Sequence, residues 1–200
     1  YDDEDQGFSV CSDQIEGAVT TAYGAGAPVG VEGATVTLVP DNCDPPCTIE
    51  IMATAGDGKY GFCNCEDCDE YTLTPSLDVE PLNGVSTYDL VLISRHILGL
   101  EAFDSPYKYI AADANKSNSV TTFDIVEIRK LILGIYSEFP DNTSWRFVDK
   151  AFVFPNPSNP FSTTFPELIE VPSANGYDFY GIKIGDVNGT AVANGDRPAE

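Results

Sequence analysis

The chain has one histidine, one methionine and only 10 basic residues against 32 acidic ones, a net charge of −22. So acidic a surface repels nucleic acid and anionic membranes, and it makes divalent cations attractive partners. The lone histidine, His96, falls inside an apolar-periodic segment and aligns with Leu131 of an internal repeat, so it reads as structural. No nucleophile elbow, phosphate loop or metal-hydrolase motif is present. With 32 acids, some carboxylate pair reaches glycosidase spacing by chance, so such a pair signals nothing by itself. These absences point away from an enzyme. No apolar run approaches the ~20 residues of a membrane span, so no membrane insertion is expected. The chain opens on Tyr1-Asp2-Asp3-Glu4-Asp5 without a signal peptide or an initiating methionine, as expected of an exported chain already processed.

What is present is enough for a folded core. Hydrophobic residues make up 42% of the 200 and aromatics 11%, which excludes a disordered chain. All six cysteines (Cys11, Cys43, Cys47, Cys63, Cys65 and Cys68) lie between residues 11 and 68. An even number in one strand-rich region reads as a disulfide framework and an oxidising, extracellular compartment. The alternative is zinc held by Cys63, Cys65 and Cys68 with Cys43 or Cys47, although these sulfurs sit among acids rather than in paired knuckles. Cys43–Cys47, closing the Asp44-Pro45-Pro46 turn, is the first pairing to expect.

Short alternating segments at residues 15–20, 34–39, 48–53, 60–62 and 71–74 are punctuated by Gly, Asp and Pro. They predict a small β-sandwich over residues 1–77. Residues 78–137 contain a repeat with an offset of 35, Val85–Leu100 aligning with Val120–Ile135. Leu90, Ile93 and Ile97, and likewise Ile125, Ile128 and Ile132, recur at helical spacing, and each unit closes on a glycine. Two amphipathic helices that pack together are expected. Residues 138–200 carry strand-like segments at 145–148 and 180–184 and a rigid Pro/Asn-rich loop at 154–161. They are expected to pack on the helix pair and tie it to the sandwich.

Calcium takes six to eight oxygens at ~2.3–2.6 Å, and a twelve-residue loop delivers them from positions 1, 3, 5, 7, 9 and 12. The stretch 113–124 offers Asp113, Asn115, Ser117, the Ser119 carbonyl, Thr121 and Asp124 at those positions. Asn118 stands in for the usual position-6 glycine, since Asn tolerates left-handed backbone. The first copy, 78–89, is degraded. Asp78, Glu80, the Gly84 carbonyl, Ser86 and Asp89 could serve, but Leu82 at position 5 cannot coordinate. That loop binds more weakly, borrows an oxygen, or has lost its ion. One donor on paper is Gly185-Asp186-Val187-Asn188-Gly189, where Asp186 and Asn188 repeat a loop opening; the alternative is a plain Asp/Asn-Gly turn.

The two loop-helix units resemble type I dockerins, on their Asp-x-Asn-x-Ser loop and Leu-Gly endings. The resemblance implies an EF-hand-like pair holding one or two calcium ions, secretion, and in some members docking to a cohesin. The cohesin-reading positions fall on Thr87-Tyr88 and Thr122-Phe123, whose aromatics depart from the family's small pairs and read as packing residues. The strand-rich part resembles transthyretin-like domains (carboxypeptidase-regulatory-like or collagen-adhesin B-type) through Gly17–Val19, Gly33–Leu38, Ala55–Phe62 and Tyr71–Pro75. Those domains are mostly spacers and adhesin modules. Together the units are similar to modules in surface proteins of Bacteroidetes-type bacteria. The expectation is a mixed, β-rich, non-catalytic building block of a cell-surface assembly or extracellular fibre, self-associating into a homopolymer. Residues 7–11 are a candidate strand to donate to a neighbour's sheet edge. The alternative is a recognition module for a cohesin-like or glycan partner.

Overall fold

The computed structural model describes residues 14–41, 43, 47–63, 68, 70–171 and 176–194. The strand proposed at 7–11, and Cys11 and Cys65, lie outside them. Among the described residues eight strands form two four-stranded sheets: β1 (Gln14–Thr21), β2 (Thr35–Asp41), β3 (Glu50–Ala53), β4 (Lys59–Cys63), β5 (Glu70–Ser76), β6 (Trp145–Asp149), β7 (Ile169–Val171) and β8 (Phe179–Lys183). One sheet has the order β4-β1-β8-β6 and the other β3-β2-β5-β7. The strands follow the two-residue period of their sequence. In β5, Tyr71, Leu73 and Pro75 are buried, and Glu70, Thr74 and Ser76 face out. A single cluster of buried residues joins the two sheets, with Ile15, Val19, Phe62 and Phe179 from one and Val36, Leu38, Tyr71 and Leu73 from the other.

The expected Cys43–Cys47 bridge is corrected. Cys43 pairs with Cys68, Cα atoms 4.7 Å apart. The reason is register: β2 and β5 run antiparallel with Asp41 opposite Glu70, and continuing that pairing two residues outward sets 43 opposite 68. Cys47 and Cys63 are also in disulfides. The sulfurs of Cys43, Cys47 and Cys68 lie within 4.8 Å of one another, but zinc takes thiolates, and these sulfurs are oxidised.

The C-terminal segment enters both sheets. Strand β8 lies between β1 and β6, parallel to β1 (Val19 opposite Phe179) and antiparallel to β6; β7 pairs with β5. Strands β6 and β8 are covered on both faces. Trp145, Phe147 and Phe179 join the inter-sheet core, while Val148 and Ile182 turn to a second cluster under the helices. Gly17 on β1 sits where the chain at 177 crosses it. A Cβ there would lie 1.8 Å from the Tyr177 carbonyl oxygen, which also accepts a hydrogen bond from Tyr60 Oη. Gly17→Ala is therefore expected to cost about 1–3 kcal/mol, read as a lower urea midpoint.

Three helices lie between β5 and β6: α1 (Thr87–Ile97), α2 (Pro106–Ala112) and α3 (Thr122–Ile132). Helices α1 and α3 are the repeated pair, each opened by a capping box and followed by a glycine with positive φ, Gly99 at 68° and Gly134 at 66°. Ile93 of α1 and Ile128 and Leu131 of α3 are fully buried in the second cluster. Helix α2 has no counterpart in the sequence reading, although Ser105 as N-cap and Pro106 at the first turn announce it. His96 is used in packing: its ring stacks on Phe103 at 4.2 Å, and its Nδ1 accepts the Phe103 N–H. No helix among the described residues is long and apolar enough to cross a membrane.

Candidate metal centre

The 113–124 loop connects α2 to α3, and both elements fix its ends. Asp113 is the C-cap of α2. Thr121 is the N-cap of α3, and Asp124, three residues on, turns back to accept the Thr121 N–H at 2.7 Å. Between them the backbone folds onto the two acids. Ser117 N–H and Asn118 N–H donate to Asp113 Oδ1 and Oδ2 at 2.8 and 2.9 Å. Asn115 N–H donates to Asp124 Oδ1 at 3.3 Å, and Ser117 Oγ lies 3.3 Å from the Ser119 carbonyl. Lys116 (φ 55°) and Asn118 (φ 60°) take the left-handed turns that this path requires. The structure thus gathers Asp113, Asn115, Ser117, Ser119, Thr121 and Asp124 into one loop.

Electrostatics make this loop unusual. Asp113 and Asp124 are both fully shielded from solvent. Burial pushes both carboxyls above the ordinary range, against the lowering effect of the N–H groups that face them, and the Asp124 charge adds to the rise at Asp113. Two buried acids sharing one loop are costly to keep ionised without a cation. A donor set made wholly of oxygens, with two carboxylates, suits a hard divalent ion.

The first copy is arranged differently. Asp78 Oδ1 accepts the Ser144 N–H at 2.8 Å, and Glu80 accepts from Asn83 Nδ2 at 3.4 Å. Lys183, buried and donating to the Pro81 carbonyl at 2.8 Å, feels the charges of Asp78, Glu80 and Asp186, and its burial brings it down to about 7. Asp89, wholly buried, caps Ser86 as Asp124 caps Thr121, with Ser86 N–H donating to Oδ2 at 2.9 Å. Its other oxygen accepts Val187 N–H at 3.0 Å and Asn188 N–H at 3.3 Å. Asp186 and Asn188 are thus brought to Asp89 from the far end of the chain. Asp186 is itself buried and raised above the usual carboxylate range, first by burial and also by Asp89. Tyr23 Oη donates to the Asp186 carbonyl at 2.6 Å.

No protein family, curated protein or solved structure matches this chain.

The repeated helices also present a repeated surface. Tyr88 and Phe123, expected to pack inward, are 55% and 72% exposed. The capping box explains the correction. It turns the third helical residue (Asp89 or Asp124) inward to the backbone, which leaves the second pointing to water. Val91 and Val126 in the helices, and Leu98 and Leu133 and Leu100 and Ile135 at their far ends, are also exposed in matching pairs. Sequence reasoning missed Thr190, which lies beside the Asp186 group. The spacing Asp186-x-Asn188-x-Thr190 equals Asp113-x-Asn115-x-Ser117 and was available to find it.

Proposed function

We propose that this protein is a non-catalytic, calcium-stabilised, extracellular structural protein, a building block of a cell-surface assembly or fibre. The observation that carries it is the pair of wholly buried carboxylates, Asp113 and Asp124, enclosed by a loop of oxygen donors. One or two calcium ions would hold the helix pair, and disulfides the strand-rich part. In this reading the two sheets form a transthyretin-like sandwich and α1–α3 an EF-hand-like, dockerin-like unit. The Cys43–Cys68 disulfide is consistent with a non-cytoplasmic location. Edge strand β3 supports assembly: all four of its residues face out, and Ile51 is 67% exposed. Such an edge can accept a neighbour's strand, and head-to-tail contacts that do not close give filaments. Electron microscopy of the purified protein in calcium should show ordered polymers that are lost in chelator. Monodisperse monomers at every calcium and protein concentration would count against the fibre.

A second reading is favoured by the paired exposed residues on α1 and α3. An apolar, twofold-repeated helical face is what a cohesin-like partner of a dockerin-like module would cover. Pull-down with cohesin modules separates the two functions. Tight 1:1 capture dependent on calcium, and abolished by Phe123→Asp, would replace assembly with recognition.

A further inference from the structure

We propose that the chain has a second calcium site built from two distant segments, residues 186–190 supplying its first half and residues 84–89 its second. This rests on the calcium reading of the 113–124 loop, because that loop is its template.

Most of the template's contacts recur at the second site. Asp113 Oδ1 and Oδ2 accept the N–H groups of Ser117 and Asn118; Asp186 Oδ1 and Oδ2 accept those of Thr190 and Ala191 at 3.1 and 2.7 Å. Asn115 N–H donates to Asp124 Oδ1 at 3.3 Å, and Asn188 N–H donates to Asp89 Oδ1 at the same distance. Lys116 has φ 55° and its counterpart Gly189 has φ 71°. Ser117 Oγ reaches the Ser119 carbonyl at 3.3 Å; Thr190 Oγ1 reaches the Gly84 carbonyl at 3.1 Å. Ser86 and Asp89 repeat the capping box of Thr121 and Asp124. Positions 1, 3 and 5 are thus Asp186, Asn188 and Thr190, and positions 7, 9 and 12 are Gly84, Ser86 and Asp89.

Where the template has a continuous backbone between positions 5 and 7, this site has a splice. Asn83 donates to the Val192 carbonyl at 2.8 Å and accepts the Val192 N–H at 3.0 Å. Gly84 lets the two strands touch, since a Cβ there would lie 2.5 Å from Ala191 N. This explains the degraded first loop: Leu82 need not coordinate, because Thr190 occupies its position.

An independent observation points to a ligand. Asn188 Oδ1 is buried and has no hydrogen-bond partner among the described residues. It belongs to the residue whose own N–H touches Asp89, at the position where the template supplies a ligating carboxamide. A buried acceptor without a donor is destabilising, and a cation bound by Asp89 and Asp186 would satisfy it.

The test is calcium stoichiometry of the full chain, stripped with chelator, titrated with calcium and read by native mass spectrometry and calorimetry. Wild type should bind two ions, Asp113→Asn one and Asp186→Asn one. Should Asp186→Asn fail to fold, Asn188→Ala and Thr190→Val should each weaken one of the two sites at least roughly ten-fold, as loss of a metal-supporting group does, leaving the other unchanged. A wild type that binds one ion, lost in Asp113→Asn and unaffected in Asn188→Ala, overturns the split site and leaves the proposed function standing. A wild type that binds none overturns both.

Discussion

Transfer from saturating calcium into chelator is expected to lower the melting temperature by roughly 8–16 °C for each ion lost. Preferential binding to the folded state contributes about 4 kcal/mol at a free ion concentration 1,000 times the Kd. In a chain of 150–250 residues each kcal/mol moves the midpoint by about 2–4 °C. The sign follows from the buried acids. Without an ion, Asp113 and Asp124 repel each other in a poorly solvated loop; with one, their charges become binding energy. Asp124→Ala should remove most of the calcium-dependent shift at that loop. It should also lower the chelator-state midpoint, because Thr121 N–H and Asn115 N–H lose their acceptor. Coincident melting curves in calcium and in chelator would sink the metal reading outright.

The second large effect concerns the C-terminal segment. Phe179→Ala is expected to cost about 3–5 kcal/mol, the range for truncating a fully buried aromatic. Phe179 is wholly shielded and sits on the strand between β1 and β6, where its ring fills the core shared by the two sheets. The collapse available to the site is small, since Val19 is fixed opposite it in the β1 ladder. Ile128→Ala, at the centre of the helix cluster, should cost about 2–5 kcal/mol and serves as a comparison. A Phe179→Ala loss below about 1 kcal/mol in urea unfolding would mean that β8 is not a core strand.

The parts of this fold that were legible in sequence are those with a local cause. The five N-terminal strands announce themselves by alternation and the repeated helices by period and terminal glycine. The seven residues of α2 were too few for a period to register, and only Ser105-Pro106 marked it. Strand β7, three residues long, exists because β5 offers it a free edge, and nothing within Ile169-Glu170-Val171 says so. The candidate loop at 113–124 could be proposed from sequence because its oxygen-bearing residues fall within one stretch of twelve. Asp186 and Asn188 could be read only as an isolated loop opening, because Asp89, which they meet in the fold, lies about a hundred positions away. Disulfide choice failed for the same reason: Cys43 is closer to Cys47 along the chain, but the β2–β5 register brings Cys68 to it.

The parallel placement of β8 against β1 has a kinetic consequence. Ala18 N–H and Asp178 Oδ1, which bond at 2.9 Å, are 160 residues apart in the chain. Neither sheet is complete until the last strands arrive, since β8 fills the middle of one and β7 closes the edge of the other. Pairings of such long range are slow to form, because the loop-closing entropy is lost before the contacts compensate. A chain emerging amino-terminus first therefore cannot mature piecewise. Strand β1 can pair with β4 early, but its edge at Val19–Thr21 must wait for β8, and the sheet closes only once residues 179–183 are free.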